Sequence, residues 1–179
     1  MTQTLADKMT QSWQASVYAV LRDNHVRQIA YVPDSGFSEL LNLCLDDPAM
    51  SSTVLTTEEE GVGLLAGAWL GGDRGVLMMQ SSGVGNCVNM LTLIESCQLP
   101  FLSIVTMRGE WKEFNPWQEP MGRNTQAVLE LAGVEVFRAK QAGRAAELVQ
   151  KAVQLVFEES RAVAVLIAQQ VIGEKQWQE

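Results

Sequence analysis

The sequence predicts an α/β fold: a single open, doubly wound sheet of about six strands, mostly parallel, with helices on both faces. Two observations predict it. Helical and strand-like hydrophobic patterns alternate along the whole chain. The run FLSIVTM at residues 101–107 is apolar almost throughout, which is typical of a strand buried on both faces of a parallel sheet. Because no linker, repeat or low-complexity segment interrupts the pattern, we expect one domain over residues 1–179.

The elements follow in order from apolar spacing and from turn residues. Trp13, Val17 and Leu21 recur at helical spacing, and the strand at residues 27–33 comes next and ends at Pro33. The further predicted elements are a helix at 37–45, a strand at 53–57, a helix at 58–70, a strand at 75–79, a helix at 83–96, a strand at 101–107, a helix at 124–132, a strand at 134–138, a helix at 143–159 and a strand at 162–168.

Residues 108–123 interrupt this alternation with charges, prolines and aromatic side chains, in the run RGEWKEFNPWQEPMGR. We expect a long ordered loop here, because its tryptophans and phenylalanine need packing partners. Long loops in compact domains are often functional.

Composition and charge exclude several classes of protein. A hydrophobic share of 47% excludes intrinsic disorder, and a net charge of -8 disfavours binding to nucleic acid. No apolar run approaches the ~20 residues of a membrane span, and the N-terminus lacks the pattern of a signal peptide, so we expect a cytoplasmic protein without membrane contact. Cys44, Cys87 and Cys97 are expected to be buried free thiols. With His25 as the only histidine, they predict no metal site and no Ser-His-Asp relay.

In a parallel α/β sheet, ligands bind beyond the carboxyl ends of the strands, which here are followed by loops at 33–36, 57–60, 80–86 and 108–123. The second loop opens the segment TTEEEGVGLLAGAWLGG. Its glutamates complement the dipole of a helix N-terminus, which is one interpretation. The other interpretation rests on its small residues, several of which are glycines that destabilise a helix. They favour close approach of another backbone, helix or ring.

The third loop opens the segment QSSGVGNCVNML, in which Gly83 and Gly85 mark a strand-to-helix turn. Backbone N–H groups at such a turn bind phosphate in many proteins, so a flavodoxin-like or Rossmann-type nucleotide-binding domain is one alternative. The chain has neither G-x-G-x-x-G nor G-x-x-x-x-G-K-[ST], which weighs against it.

Together, these segments resemble the pyrimidine-binding domain of thiamine-diphosphate enzymes. The resemblance runs through PDS, TTEEEGVGLLAGAWLGG, MMQSSGVGNCVNMLTLIES and the loop ending Q-x-P-M-G-R, from about Tyr31 to Gly133. It is most specific for the family of sulfopyruvate decarboxylase α subunits and the N-terminal domains of phosphonopyruvate decarboxylases.

The resemblance implies a cofactor glutamate ten residues before the aromatic residue of the small-residue helix, which is Glu59 before Trp69; Glu58 and Glu60 are the alternatives one residue away. This partly buried carboxyl would hydrogen-bond a ring nitrogen of the aminopyrimidine and so promote the attack of the cofactor on a 2-oxo acid. Further implied cofactor contacts are Gln80, Ser82, Gly83 and Asn86. The chain departs from the family pattern at Ser81, where relatives carry Asn, and at Ala68, where many carry Gly.

The G-D-G motif with a later Asn, which binds diphosphate and Mg²⁺ in this family, is absent from the sequence. The resemblance therefore implies a separate diphosphate-binding β subunit that holds Mg²⁺, in a heteromer with at least two copies of each chain. A noncatalytic interaction domain that kept the fold is the rival interpretation.

The family's substrates imply a 2-oxo acid with a sulfonate or phosphonate group. The expected reaction converts 3-sulfopyruvate to sulfoacetaldehyde and carbon dioxide, with phosphonopyruvate as the alternative substrate, and sulfopyruvate would imply a place in coenzyme M biosynthesis. Candidate substrate-binding residues are Asp34, Ser35, Arg108, Gln118 and Arg123. We favour Arg108 over Arg123 because it directly follows a strand, and because guanidinium matches a tetrahedral oxyanion well.

Overall fold

The computed structural model describes residues 12–174, which form one open sheet of six strands. The strands are β1 (Val26–Tyr31), β2 (Ser51–Val54), β3 (Arg74–Gln80), β4 (Phe101–Thr106), β5 (Glu135–Ala139) and β6 (Ala162–Ile167). They pair in the order β2-β1-β3-β4-β6-β5, and every pairing is parallel. The predicted fold class is therefore confirmed.

A helix lies in each of the five connections between successive strands, and within the described range two more helices lie before the first strand and after the last. They are α1 (Trp13–Asp23), α2 (Ser38–Leu45), α3 (Glu58–Leu70), α4 (Ser81–Cys97), α5 (Glu119–Leu131), α6 (Ala145–Glu159) and the short α7 (Gln169–Ile172), with 3₁₀ turns at Ser35–Phe37, Pro116–Gln118 and Ala142–Arg144. Within residues 12–174, no helix has both the length and the apolar character needed to cross a membrane. Residues 1–11, on which the signal-peptide expectation rests, lie outside the described range.

Two hydrophobic cores lie on opposite faces of the sheet. The alternation of side chains along β3 sends Val76 and Met78 into the core with α1, α2 and α6, and Leu77 and Met79 into the core with α3, α4 and α5. All six residues of β4 are buried, as expected for a central parallel strand.

Several boundaries differ from the predictions. The strand predicted at 27–33 is β1 at Val26–Tyr31, and the helix predicted at 83–96 begins at Ser81, so Gly83 and Gly85 lie within the first two turns of α4 and not in a turn before it. The strand predicted at 53–57 is β2 at Ser51–Val54, because Thr57 caps the N-terminus of α3 and the β-branched run ends in a loop. The loop predicted at 108–123 ends at residue 118, because Pro120 fits the first turn of α5, where a missing N–H costs nothing. The expectation that all three cysteines are buried is wrong for Cys97, which is exposed at the end of α4.

Candidate active site

Glu58, the first of the three glutamates that open α3, is buried. It is 8% exposed, and its Oε2 accepts a hydrogen bond of 2.7 Å from Nδ2 of Asn86 on α4. A Cβ added to Gly83 would lie 2.4 Å from Oε1 of Glu58. The glycine therefore makes room for this carboxylate against the first turn of α4.

The other two glutamates have different surroundings. Oε2 of Glu60 accepts a 2.9 Å hydrogen bond from the backbone N–H of Thr56, a local contact that closes the start of the helix. Glu59 is exposed, and its carboxylate has no hydrogen bond or ion pair with any residue in the range 12–174. Of the three candidates, Glu59 is thus the one whose carboxylate is available to a ligand, although the expected partial burial is not present in the single chain.

Asp34 connects the carboxyl ends of three adjacent strands. Its Oδ1 accepts a 3.0 Å hydrogen bond from Nε2 of Gln80 at the end of β3, and its Oδ2 accepts one of 2.8 Å from Oγ1 of Thr106 at the end of β4. Ser82 donates to Oε1 of Gln80 at 3.0 Å. The structure thus brings together Asp34, Gln80 and Ser82, and their polar groups orient one another at the edge of the sheet.

Arg108 lies in a buried ion pair with Glu113. Its Nε and Nη2 donate to the two carboxylate oxygens at 2.7 and 2.5 Å, and the two side chains are only 6% and 4% exposed. Glu113 also accepts from the backbone N–H groups of Gly109 and Asn115 and from Nε2 of Gln169. These hydrogen bonds, that from Arg108 foremost, lower the pKa of Glu113 to about 2.

This ion pair involves Arg108, the favoured candidate for binding the substrate anion. The charge of Arg108 is neutralised inside the loop, where it supports the backbone that follows β4. Arg123 lies within α5 with its side chain 71% exposed, 4.0 Å from Glu119. Ser35 is exposed, and Oε1 of Gln118 is buried without a hydrogen-bond partner among the described residues. The assignments of all these residues to a substrate anion stay predictions.

The small residues of α3 divide into two groups. A Cβ on Gly61 would lie 2.5 Å from Cδ1 of Leu77, so this glycine permits close packing of the helix on β3. A Cβ on Gly67 would meet nothing within 4 Å, and one on Gly63 would only reach Cε of Met90 at 4.0 Å. Close packing among residues 12–174 therefore explains Gly61 but does not explain Gly63 and Gly67.

The described residues fit half of a thiamine-diphosphate site. An available carboxylate stands at the N-terminus of a helix that has open space beside Gly63 and Gly67, and such a carboxylate suits a ring with a basic nitrogen. Among residues 12–174, no group of three His, Cys, Asp or Glu side chains has an arrangement that could hold a metal ion.

Three residues in the hydrogen-bond networks of Asp34 and Arg108 were not among the residues predicted from the sequence: Thr106, Glu113 and Gln169. Thr106 ends an apolar strand, Glu113 is one of several charges in its loop, and Gln169 begins a helix of four residues. Only the position of each at the carboxyl end of a strand, or in the loop after it, pointed towards the site.

Comparison with known proteins indicates the same family as the sequence motifs. The chain is 35% identical over 153 residues to sulfopyruvate decarboxylase subunit alpha of Methanococcus maripaludis, covering 85% of this chain and 92% of that protein. It is 34% identical over 152 residues to the same subunit of Methanocaldococcus jannaschii, with 84% and 90% covered. Phosphonopyruvate decarboxylase of Streptomyces viridochromogenes is 38% identical over 123 residues, which are 68% of this chain and 31% of that protein.

No family model matches the chain. Among solved structures, 2-oxoglutarate:ferredoxin oxidoreductase from Magnetococcus marinus aligns with a TM-score of 0.70 at 11% identity, covering 90% of this chain and 29% of that one. This likeness shows the fold alone.

Proposed function

The chain belongs to the family of sulfopyruvate decarboxylase α subunits, and from that membership we propose that it is the pyrimidine-binding subunit of a thiamine-diphosphate-dependent 2-oxo acid decarboxylase. The observation that carries the proposal is the environment of Glu59. Its neighbours Glu58 and Glu60 are occupied by Asn86 and by the Thr56 backbone, whereas Glu59 keeps an available carboxylate at the carboxyl edge of the sheet.

In this proposal Glu59 holds a ring nitrogen of the cofactor and sets its protonation. When bound, thiamine diphosphate supplies the electron sink for the loss of carbon dioxide. The residues of this chain orient and shield the reacting groups: Asp34 fixes Gln80, and Gln80 fixes Ser82, so the rim of the site is ordered before a ligand arrives. Pre-ordered polar groups lose little entropy when they bind.

We propose a separate diphosphate-binding β subunit as the partner, with Mg²⁺ held there, in a heteromer with at least two copies of each chain. The name of the matched relatives, a subunit alpha, supports a partner. The exposure of Glu59 in the single chain supports the same conclusion, since chemistry on a 2-oxo acid benefits from exclusion of water and this chain alone leaves the carboxylate open.

The proposed substrate is 3-sulfopyruvate, converted to sulfoacetaldehyde and carbon dioxide. Phosphonopyruvate is a second candidate, favoured by the 38% identity over 123 residues to a phosphonopyruvate decarboxylase. Steady-state assays of the complex on both keto acids distinguish them, with a higher kcat/KM for sulfopyruvate as the expected result. A complex that binds its partner but turns over neither keto acid would support the noncatalytic interaction domain instead.

Substitution of each glutamate tests the assignment of Glu59. Glu59→Gln in the complex is expected to lower kcat by a factor on the order of 10² or more, because the amide cannot act as the acid–base partner of the cofactor. Glu60→Gln is the matched control on the next residue and is expected to keep kcat within about threefold, since its amide oxygen can still accept from the Thr56 N–H. Substrate consumption and carbon dioxide release are the measurements. Full activity of Glu59→Gln with loss in Glu60→Gln would move the assignment by one residue.

A further inference from the structure

We propose that Glu58 and Asn86 form a positioning pair that orients Glu59, and that Asn86 acts on Glu58 rather than on the cofactor. This inference rests on the proposed function. It assigns a role to a buried carboxylate that the proposed chemistry leaves unused, and it assigns Asn86 a different role from the cofactor contact that the sequence implies.

The contact joins the first turn of α3 to the second turn of α4. Glu58 is the first residue of α3, and Asn86 lies in the second turn of α4. The distance of 2.7 Å between Nδ2 and Oε2 is that of a short charge-assisted hydrogen bond. Gly83, one turn before Asn86, completes the fit, because its missing Cβ leaves the space that Oε1 occupies.

Glu58 is only 8% exposed as a residue, so its carboxylate needs compensation for lost hydration. The amide of Asn86 supplies one hydrogen bond. The N-terminal ends of α3 and α4 add favourable dipoles, since neither helix has a side-chain cap at its N-terminus and the carboxylate lies beside both first turns. The pair is therefore a specific contact whose geometry depends on both partners.

The pair determines where Glu59 points. The contact with Asn86 anchors the first turn of α3 against α4, and the helical backbone then directs the Cα–Cβ bond of Glu59 about 100° round the helix axis from that of Glu58. On the other side, Glu60 is held by the Thr56 N–H. The first turn of α3 is thus held at both flanking carboxylates, and only Glu59 between them projects freely towards a ligand.

An exchange of the two polar groups tests the pair. Asn86→Asp places two carboxylates at a distance suited to one hydrogen bond, whereas the double variant Glu58→Gln with Asn86→Asp restores the bond with donor and acceptor reversed. Asn89→Asp, an exposed residue on the same helix, is the matched control for an added charge. Each variant is measured as the thermal midpoint of the isolated chain, and as kcat, KM and cofactor affinity of the complex.

We expect Asn86→Asp to lower kcat by about tenfold or more and the double variant to recover most of that loss, with KM changed far less, because the pair acts through Glu59. Asn89→Asp should leave kcat and KM near those of the wild type.

A double variant as inactive as Asn86→Asp, with weakened cofactor affinity in both variants, would overturn the proposal and identify Asn86 as a cofactor contact. Recovery of the thermal midpoint without recovery of kcat would reduce the pair to a structural role. A wild-type complex without decarboxylase activity would instead contradict the proposed function, while the thermal midpoints still report whether the pair exists.

Discussion

Three consecutive glutamates have three different roles because each faces a different neighbour. Glu58 faces α4, Glu60 turns back to the loop before the helix, and Glu59 faces outward. The nearby charges of Glu58 and Glu59 also act on Cys87: burial first, and then these two carboxylates, raises the pKa of its thiol to about 12. Cys87 therefore stays a protonated packing residue rather than a nucleophile.

Glu113 makes the stability of the fold depend on acidity. Its pKa is about 2 in the folded chain, against a usual value of 4.5, so the ion pair with Arg108 stabilises the fold above pH 4.5. That contribution is lost as the pH falls from 4.5 towards 2, because protonation of Glu113 breaks the pair. Glu113→Gln is expected to lower the free energy of unfolding by roughly 3 kcal/mol at neutral pH, since it leaves a buried guanidinium without its counter-charge.

Urea unfolding of the wild type and of Glu113→Gln, from pH 7 down to pH 2.5, measures this difference. The gap between the two proteins should narrow below pH 4.5. Glu147→Gln is a suitable control, because the side chain of Glu147 is 61% exposed in a surface pair with Arg144. A gap that stays constant over the whole range would contradict the assignment of the acid-sensitive contribution to Glu113.

At the scale of helices, the first turns of α3 and α4 fit together through a missing side chain. A Cβ on Gly83 would also lie 2.5 Å from Cδ and Cγ of Glu58. Gly83→Ala therefore forces the carboxylate out of its buried position, with an expected loss of roughly 1–3 kcal/mol in the free energy of unfolding.

Gly67→Ala is the opposite case in the same pair of helices. A Cβ there meets nothing within 4 Å, so the chain should gain about 0.5–1 kcal/mol from the lower entropy of its unfolded state. Denaturant unfolding of the isolated chain measures both variants. Equal effects of the two substitutions would show that general helix propensity, rather than the contact with Glu58, governs Gly83.

At the scale of the whole molecule, the strand order concentrates polar side chains at one edge. β1 and β3 are neighbours in the sheet, and the connections that follow them run in opposite directions, towards β2 and towards β4, which opens a crevice at their carboxyl ends. The polar groups of Asp34 and Gln80 meet at this crevice, and the N-terminus of α3 follows β2 at the same edge. These groups make up the candidate site at this edge of the sheet.

Because the proposed diphosphate-binding β subunit would supply the rest of the site, the purified chain alone is expected to show no decarboxylation of sulfopyruvate or phosphonopyruvate, and activity should appear when a G-D-G-bearing β chain and Mg²⁺ are added. Sedimentation of the mixture should give a heteromer with at least two copies of each chain. Turnover by the single chain with thiamine diphosphate and Mg²⁺ would contradict the division of the site between two subunits.

The parallel α/β class, the order of the elements and the family are already evident from local sequence patterns. These depend on local periodicity and on motifs, which are properties of contiguous residues. The predicted bounds of β2 and the predicted start of α5 were wrong. The run TVLTT suits both a strand and the start of the next helix, and EPMGR suits both a loop and a helix. The helix that follows decides each case, because Thr57 occupies the N-cap position of α3 and Pro120 lies in the first turn of α5.

Which charged side chains are available to a ligand depends on contacts between residues that are distant in the sequence. Glu58, Glu59 and Glu60 are identical in type, and what separates them is contact with Asn86, 28 residues away, and with the Thr56 backbone. Likewise, the sequence offers Arg108 as an anion binder, whereas the fold pairs it with Glu113 and holds that pair with Gln169 from the far end of the chain. Hydrogen bonds and burial between distant residues arise only when the sheet brings strand ends together, and no local pattern encodes them.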